Sequence, residues 1–190
     1  MAIHEIVPTT DADIRTPLLA WLRSQHPDHL TAKMLEEFKM PRPSARIDVA
    51  LVNGEMSGFE IKSDRDTLNR LAVQIPAFSR LFDRMSLVTT RKHLAEARTK
   101  IPSWWGIVVF RDDGSFEISR MSKRNRKIDV AALLFALTKR ELALVARAAG
   151  VAMPSAAKKD SMVDLLAAPN RRADVYNLAR EVIKSRAACR

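Results

Sequence analysis

Cysteine is nearly absent: the one residue of that type, Cys189, stands next to the C-terminus. A disulfide framework and a cysteine-built metal site are thereby excluded. Glycine is scarce, with 5 in 190 residues, and none are grouped into a loop that would cradle a phosphate. No apolar run approaches the roughly 20 residues that a membrane span needs, so no membrane partner is expected. The opening MAIHEIVPTT has no basic segment followed by an apolar one. No secretory signal is read there, and a cytoplasmic location is the expectation. Internal repeats and low-complexity tracts are missing as well.

What remains is ordinary for a globular protein: 47% hydrophobic and 28% charged residues. A length of 190 residues suits one medium domain with an appendage, or two small ones. The charge is uneven. Residues 1–122 hold 17 Lys/Arg against 16 Asp/Glu, whereas residues 123–190 hold 15 against 6. Almost all of the formal net charge of +10 therefore sits in the last third. Such an asymmetry points to a polyanion, most often nucleic acid, or else to a solvated basic surface.

Hydrophobic spacing predicts helices over residues 13–24 and 30–38, strands over 46–52 and 57–62, and a helix over 66–82. In that last helix Ser63 and Asp66 suggest a capping box, and Pro76 a kink. A strand over 85–90, a short helix over 92–98 and a hairpin over 105–119 follow. Beyond the basic run at 122–127 everything reads helical and alanine-rich: 130–137, 139–149, 158–167 and 172–185. Thr138 and Glu141 form a second capping box, and Gly150 is a natural stop. The expected division is residues 1–122 as an α/β domain and 123–190 as a helical basic domain.

The segment "ARIDVALVNGEMSGFEIKSDRD" carries charges inside a hairpin. Ile47, Val49 and Leu51 alternate on one strand, and Phe59 and Ile61 on the next. For these to share a face, Val49 must oppose Phe59. That register needs an odd-length loop, such as Asn53-Gly54-Glu55. Asp48 and Glu60 then come together on the other face, about 5 Å apart, with Arg46 and Lys62 beside them. Two carboxylates this close repel unless a cation separates them, and oxygen ligands suit Mg²⁺ or Mn²⁺. The competing reading is an exposed polar face with Asp48 paired to Arg46 or Lys62.

Asp48, eleven intervening residues and then Glu60-Ile61-Lys62 resemble the D…(D/E)xK signature of the PD-(D/E)XK, or restriction-endonuclease-like, nuclease superfamily. The string RIDVALVNGEMSGFEIKSDRDTLNRL is similar to a small group of uncharacterised bacterial proteins assigned to that superfamily. The resemblance covers about residues 30–110. The proline that names the superfamily is absent, because Ile47 precedes Asp48. Gln74-Ile75-Pro76-Ala77-Phe78 resembles the Gln-x-x-x-Tyr element of some members, with Phe for Tyr. Asp66, Arg70 and Gln74 make one polar stripe at four-residue steps.

The resemblance implies a restriction-endonuclease-like α/β core, a mixed central sheet flanked by helices, with an all-α basic C-terminal appendage. It implies a metal-dependent nuclease that hydrolyses DNA phosphodiesters. The catalytic set is Asp48, Glu60, Lys62 and, from the preceding helix, Glu37 rather than Glu36. The metal ligands are Asp48, Glu60 and the carbonyl of Ile61, and the cofactor is Mg²⁺ or Mn²⁺. Lys62 positions or deprotonates the attacking water, or stabilises charge on the phosphate.

Arg46, Arg70 and Gln74 are expected to touch nucleic acid, DNA rather than RNA. Lys139, Arg140, Lys158 and Lys159 join them from a helix–extended–helix unit similar to SAP-like modules; a plain packing appendage is the alternative. A second copy of the chain is a further candidate partner. The rival function is a non-catalytic DNA-binding protein, or an assembly subunit, on the same fold. His26, Asp28 and His29 read as a loop at a helix break. Trp104 and Trp105 are of the type that stacks on bases, but a tryptophan that opens an apolar strand is more often core, and the eight methionines read as packing.

Overall fold

The computed structural model of the chain describes residues 7–27, 32–154 and 156–186. Asp28, His29 and Leu30 lie outside the described residues. Ile14, Leu18, Leu19 and Leu22 form the buried stripe of α1 (Asp11–Gln25), as their spacing predicts. Three strands follow: β1 (Lys33–Pro41), β2 (Ser44–Val52) and β3 (Met56–Lys62). Then come α2 (Leu71–Ser79), β4 (Arg84–Thr89), a 3₁₀ turn (Arg91–His93), α3 (Leu94–Lys100), β5 (Gly106–Phe110) and β6 (Phe116–Arg120). The chain continues through α4 (Val130–Phe135), α5 (Lys139–Ala148), α6 (Lys159–Leu166) and α7 (Arg172–Lys184).

Among the described residues the strands form one six-stranded sheet in sequence order. β3–β4 and β4–β5 are parallel; the other three pairings are antiparallel. The fold is therefore mixed α/β, as expected. On one face α1 packs against Val49, Leu51, Phe59, Ile61, Val88 and Val108. On the other, α2 and α3 share a continuous core with α4–α7, in which Phe78 stacks on Trp105 at 6.2 Å between ring centroids. No helix of the described residues is long and apolar enough to cross a membrane.

Two expectations need correction. The helix read over 30–38 is β1 from Lys33 onward. Met34, Leu35 and Phe38 mimic a helical face, but Leu35 and Phe38 reach the same core from a strand whose alternation breaks at Glu37. The helix read over 66–82 begins only at Leu71. Asp66 does not cap it: the carboxylate closes a separate turn, accepting from the Ser63 N–H at 2.9 Å and its hydroxyl at 2.7 Å. The four C-terminal helices match the spacing closely. The Thr138–Glu141 box is present, with the Thr138 N–H donating to Glu141 at 2.7 Å and the Glu141 N–H to the Thr138 hydroxyl at 3.2 Å.

Candidate active site

The hairpin register is the one its apolar residues require. Val49 faces Phe59 and Val52 faces Met56, around the three-residue loop Asn53–Glu55 with Gly54 at φ +96°. Only glycine takes that conformation cheaply. The β2–β3 ladder then stops at Val49–Phe59, so the direct cross-strand pairing of Asp48 with Glu60 expected from the sequence does not form. Toward Ser44, β2 stays paired with β1 alone; toward Lys62, β3 stays paired with β4 alone. The sheet forks there. Asp48 lies at the fork, and its Oδ2 accepts the Ile61 N–H at 2.7 Å, replacing a ladder bond that the parted strands cannot make.

The fork changes the phase of both flanking strands. Ile47 and Ala50, three residues apart, reach the same core, so Ile47 does not share the face of Val49 and Leu51 as expected. In β1 the residue across from Asp48 is Glu37, set between the pairs Glu36–Val49 and Phe38–Ile47. Glu37 has φ +55°, a left-handed conformation that costs a non-glycine residue about 1–2 kcal/mol. Glu37 thus comes from a strand, not from the preceding helix, yet it turns toward Asp48. Such strain is commonest where a site over-determines it.

Glu60 and Lys62 follow on β3, each only 2% exposed. The Lys62 ammonium and the Gln74 amide both donate to Glu60 Oε1, at 2.5 Å each. Glu60 Oε2 is buried with no hydrogen-bond partner among the described residues. Burial, joined by repulsion from Asp48, pushes the Glu60 carboxyl up to about 7, against the pull of Lys62 and Gln74. Burial also raises Asp48, an effect partly offset by the Ile61 N–H and Arg15.

The sequence reading missed Arg15. Its guanidinium meets Asp11 at 2.7 Å, Glu37 at 2.9 Å and Asp48 at 3.1 Å, and it also donates to the Asp48 carbonyl at 3.0 Å. The Asp11–Arg15 pair at four-residue spacing was visible. Nothing in the sequence says where α1 lies across the sheet, which is what brings Arg15 to the fork.

These groups surround a cavity of about 600 Å³. Asp48, Glu60, Ile61 and Lys62 line it, together with Glu37, Arg46, Asp66, Arg70 and Gln74. The stripe Asp66, Arg70 and Gln74 therefore converges, although only Gln74 lies on α2. Arg46 pairs with Glu37 at 2.5 Å. The C-terminal cations are elsewhere: Lys139, Arg140 and Lys158 are exposed, and none lines the cavity. Lys159 donates to the Phe135 carbonyl at 2.8 Å and so ties α6 to α4.

Among the described residues no group of three or more His, Cys, Asp or Glu side chains is arranged to hold a metal ion. The donor set at the fork is smaller: the Asp48 and Glu60 carboxylates and the Ile61 carbonyl. It fits a hard cation that keeps several waters, as Mg²⁺ does. The unpartnered Glu60 Oε2 supplies one ligand atom, and the Asp48 oxygens keep lone pairs beyond their present contacts.

A family model described as bacteriophage P4 protein cII matches residues 8–188. Protein cII of Enterobacteria phage P4 is 29% identical over 137 residues, which cover 70% of this chain and 51% of that protein. The chain thus spans about half the length of this curated relative. A solved protein of unknown function from Silicibacter pomeroyi is 22% identical, with a TM-score of 0.46, over 62% of this chain and 75% of that one.

Proposed function

The chain belongs to the family of bacteriophage P4 protein cII, and for this member we propose a divalent-metal-dependent nuclease that hydrolyses DNA phosphodiesters. The observation that carries the reading is the convergence of Asp48, Glu60 and Lys62 in a buried fork of the sheet. The forked mixed sheet, with helices on both faces, supports a restriction-endonuclease-like core. The basic helices α4–α7 supply positive surface for a polyanion.

Asp48, Glu60 and the Ile61 carbonyl would hold Mg²⁺ or Mn²⁺, which when bound would supply Lewis acidity at the phosphate. The chain's own groups do the rest. Lys62, fixed by Glu60, offers a preorganised cation to the charge that grows on the phosphate. Gln74 holds Glu60 Oε1, so Oε2 keeps its direction. Arg70 and Arg46 at the cavity wall orient the phosphate backbone, and Arg15 holds Asp48 and Glu37 in place.

One observation favours the non-catalytic alternative. Asp48 and Glu60 already have internal cations in Arg15 and Lys62, which offset much of their charge without a metal, although Arg15 is shared with Asp11 and Glu37. The two readings part in one assay. Plasmid and single-stranded DNA are incubated with Mg²⁺ or Mn²⁺, the parent protein beside Asp48→Asn and Lys62→Ala. Metal-dependent cleavage that falls at least 100-fold in both variants is the expected result. Cleavage that the variants retain sinks the assignment of the fork, and binding without any cleavage selects the alternative.

A further inference from the structure

A second cavity, of about 640 Å³, adjoins the first. The two share Ser44, Ala45 and Arg46 on β2. It runs from the β1–β2 hairpin to the segment after α4, so its walls come from both halves of the chain. Its lining is unusual in charge. Lys39, Arg46 and Lys159 are cationic, and no lining residue is acidic. Lys39 and Arg46 are also direct cross-strand partners. Glu37 already pairs with Arg46 at 2.5 Å and Lys159 is turned to the Phe135 carbonyl, so Lys39 is the exposed cation that this wall offers to an anion.

The rest of the wall is mostly apolar, with Pro41 and Phe135 beside the hydroxyl residues Ser44 and Thr138. One face of the Phe135 ring is taken by Arg42, whose guanidinium carbon lies 4.5 Å from the ring centroid and which Asp160 holds at 3.1 Å. Cationic rim and apolar wall together select the occupant. A duplex shows a groove its sugars and phosphates, with the bases stacked inside, so apolar walls add little. An unpaired strand offers base faces as well as phosphates, and both parts of this wall have a match.

We propose that this groove carries the single-stranded stretch of nucleic acid next to the phosphate held in the fork. Phosphates lie on Lys39 and Arg46, and a base rests against Pro41 and the part of the Phe135 ring that lines the groove. The substrate is therefore a single strand, or a strand that leaves a duplex at the fork. This rests on the nuclease reading of the fork, and it adds a substrate class and a path.

The test measures fluorescence anisotropy of a labelled oligo-dT and of a blunt duplex of equal length, in EDTA, on the full chain carrying Asp48→Asn. Single strand bound at least 10-fold tighter than duplex is expected. Lys39→Ala should weaken single-strand binding several-fold and lower its salt slope by about 0.7, one phosphate contact on a single strand. Phe135→Leu, which keeps an apolar side chain, should weaken it with the melting temperature checked beside it. Lys100→Ala on α3 should bind as the parent does. Equal or tighter duplex binding, or unchanged binding by Lys39→Ala and Phe135→Leu, overturns the inference. A cleavage arm with Mg²⁺ on the unmutated protein separates the two readings. No cleavage with groove-dependent binding removes the nuclease and keeps the groove; cleavage indifferent to Lys39 and Phe135 does the reverse.

Discussion

Glu60 works under two opposed demands. Burial favours its neutral acid, while the divalent cation of the proposed nuclease would need the carboxylate. Its folded pKa of about 7 stands above the ordinary 4.5. The folded chain therefore binds this proton more tightly than the unfolded chain does. The resulting stability is fully present below about 4.5 and is lost as pH rises through about 7. In EDTA the melting temperature should fall between pH 5 and pH 8, and Mg²⁺ should restore it at pH 8. A matching titration of Mn²⁺ should show affinity dropping about tenfold per pH unit below 7, because the ion competes with the proton. Differential scanning fluorimetry reads the first and calorimetry the second. A melting temperature that rises steadily from pH 5 to pH 8 in EDTA would show that Glu60 is not held protonated.

At the scale of the element, the hairpin shows what sequence periodicity can and cannot reach. Its register follows from matching Val49 with Phe59, since a slip by one residue reverses every side chain. The fork does not follow from it. It is a paired break of phase at Glu37 and Asp48, and a pattern read strand by strand takes such a break for a helix in β1 and for continued alternation in β2. The C-terminal helices were readable because their caps, Thr138 and Gly150, are local devices. Arg15 was not, since its role depends on where α1 crosses the sheet.

The joint between β3 and β4 is tight as well as regular. A Cβ added at Gly58 would stand 2.4 Å from Met85 Sδ and 3.1 Å from two carbons of the Phe82 ring. Both neighbours are fully buried, so neither can swing into solvent. Gly58→Ala should destabilise the protein by about 1–3 kcal/mol through overpacking. Thermal or urea unfolding measures it. A loss under 0.5 kcal/mol would mean that the strands can part without cost beside the fork.

For the whole molecule, the shift in composition near residue 123 suggests two units, whereas the core runs across it. Leu133, Leu137, Val145 and Val163 belong to the same buried cluster as Phe38, Met40 and Ile47 of the hairpin. Polar ties follow the same route: the Asn125 amide donates to the Ser79 carbonyl at 2.6 Å, and the Tyr176 hydroxyl to Asp83 at 2.9 Å. Removing residues 123–190 would expose this face, and each large apolar side chain uncovered costs about 1.5–3 kcal/mol. Several such losses together are comparable to the roughly 5–15 kcal/mol that holds an ordinary domain folded. The fragment 1–122 should therefore show no cooperative melting transition by calorimetry, while the full chain melts as one unit. A cooperative transition in the fragment would instead make the basic helices a separable module. The same removal also takes away Phe135 and Lys159, one wall of the groove beside the fork. Loss of DNA binding on truncation thus cannot by itself assign binding to α4–α7. The point substitution Lys39→Ala, made on the opposite wall and at an exposed position, separates a lost groove from a lost fold.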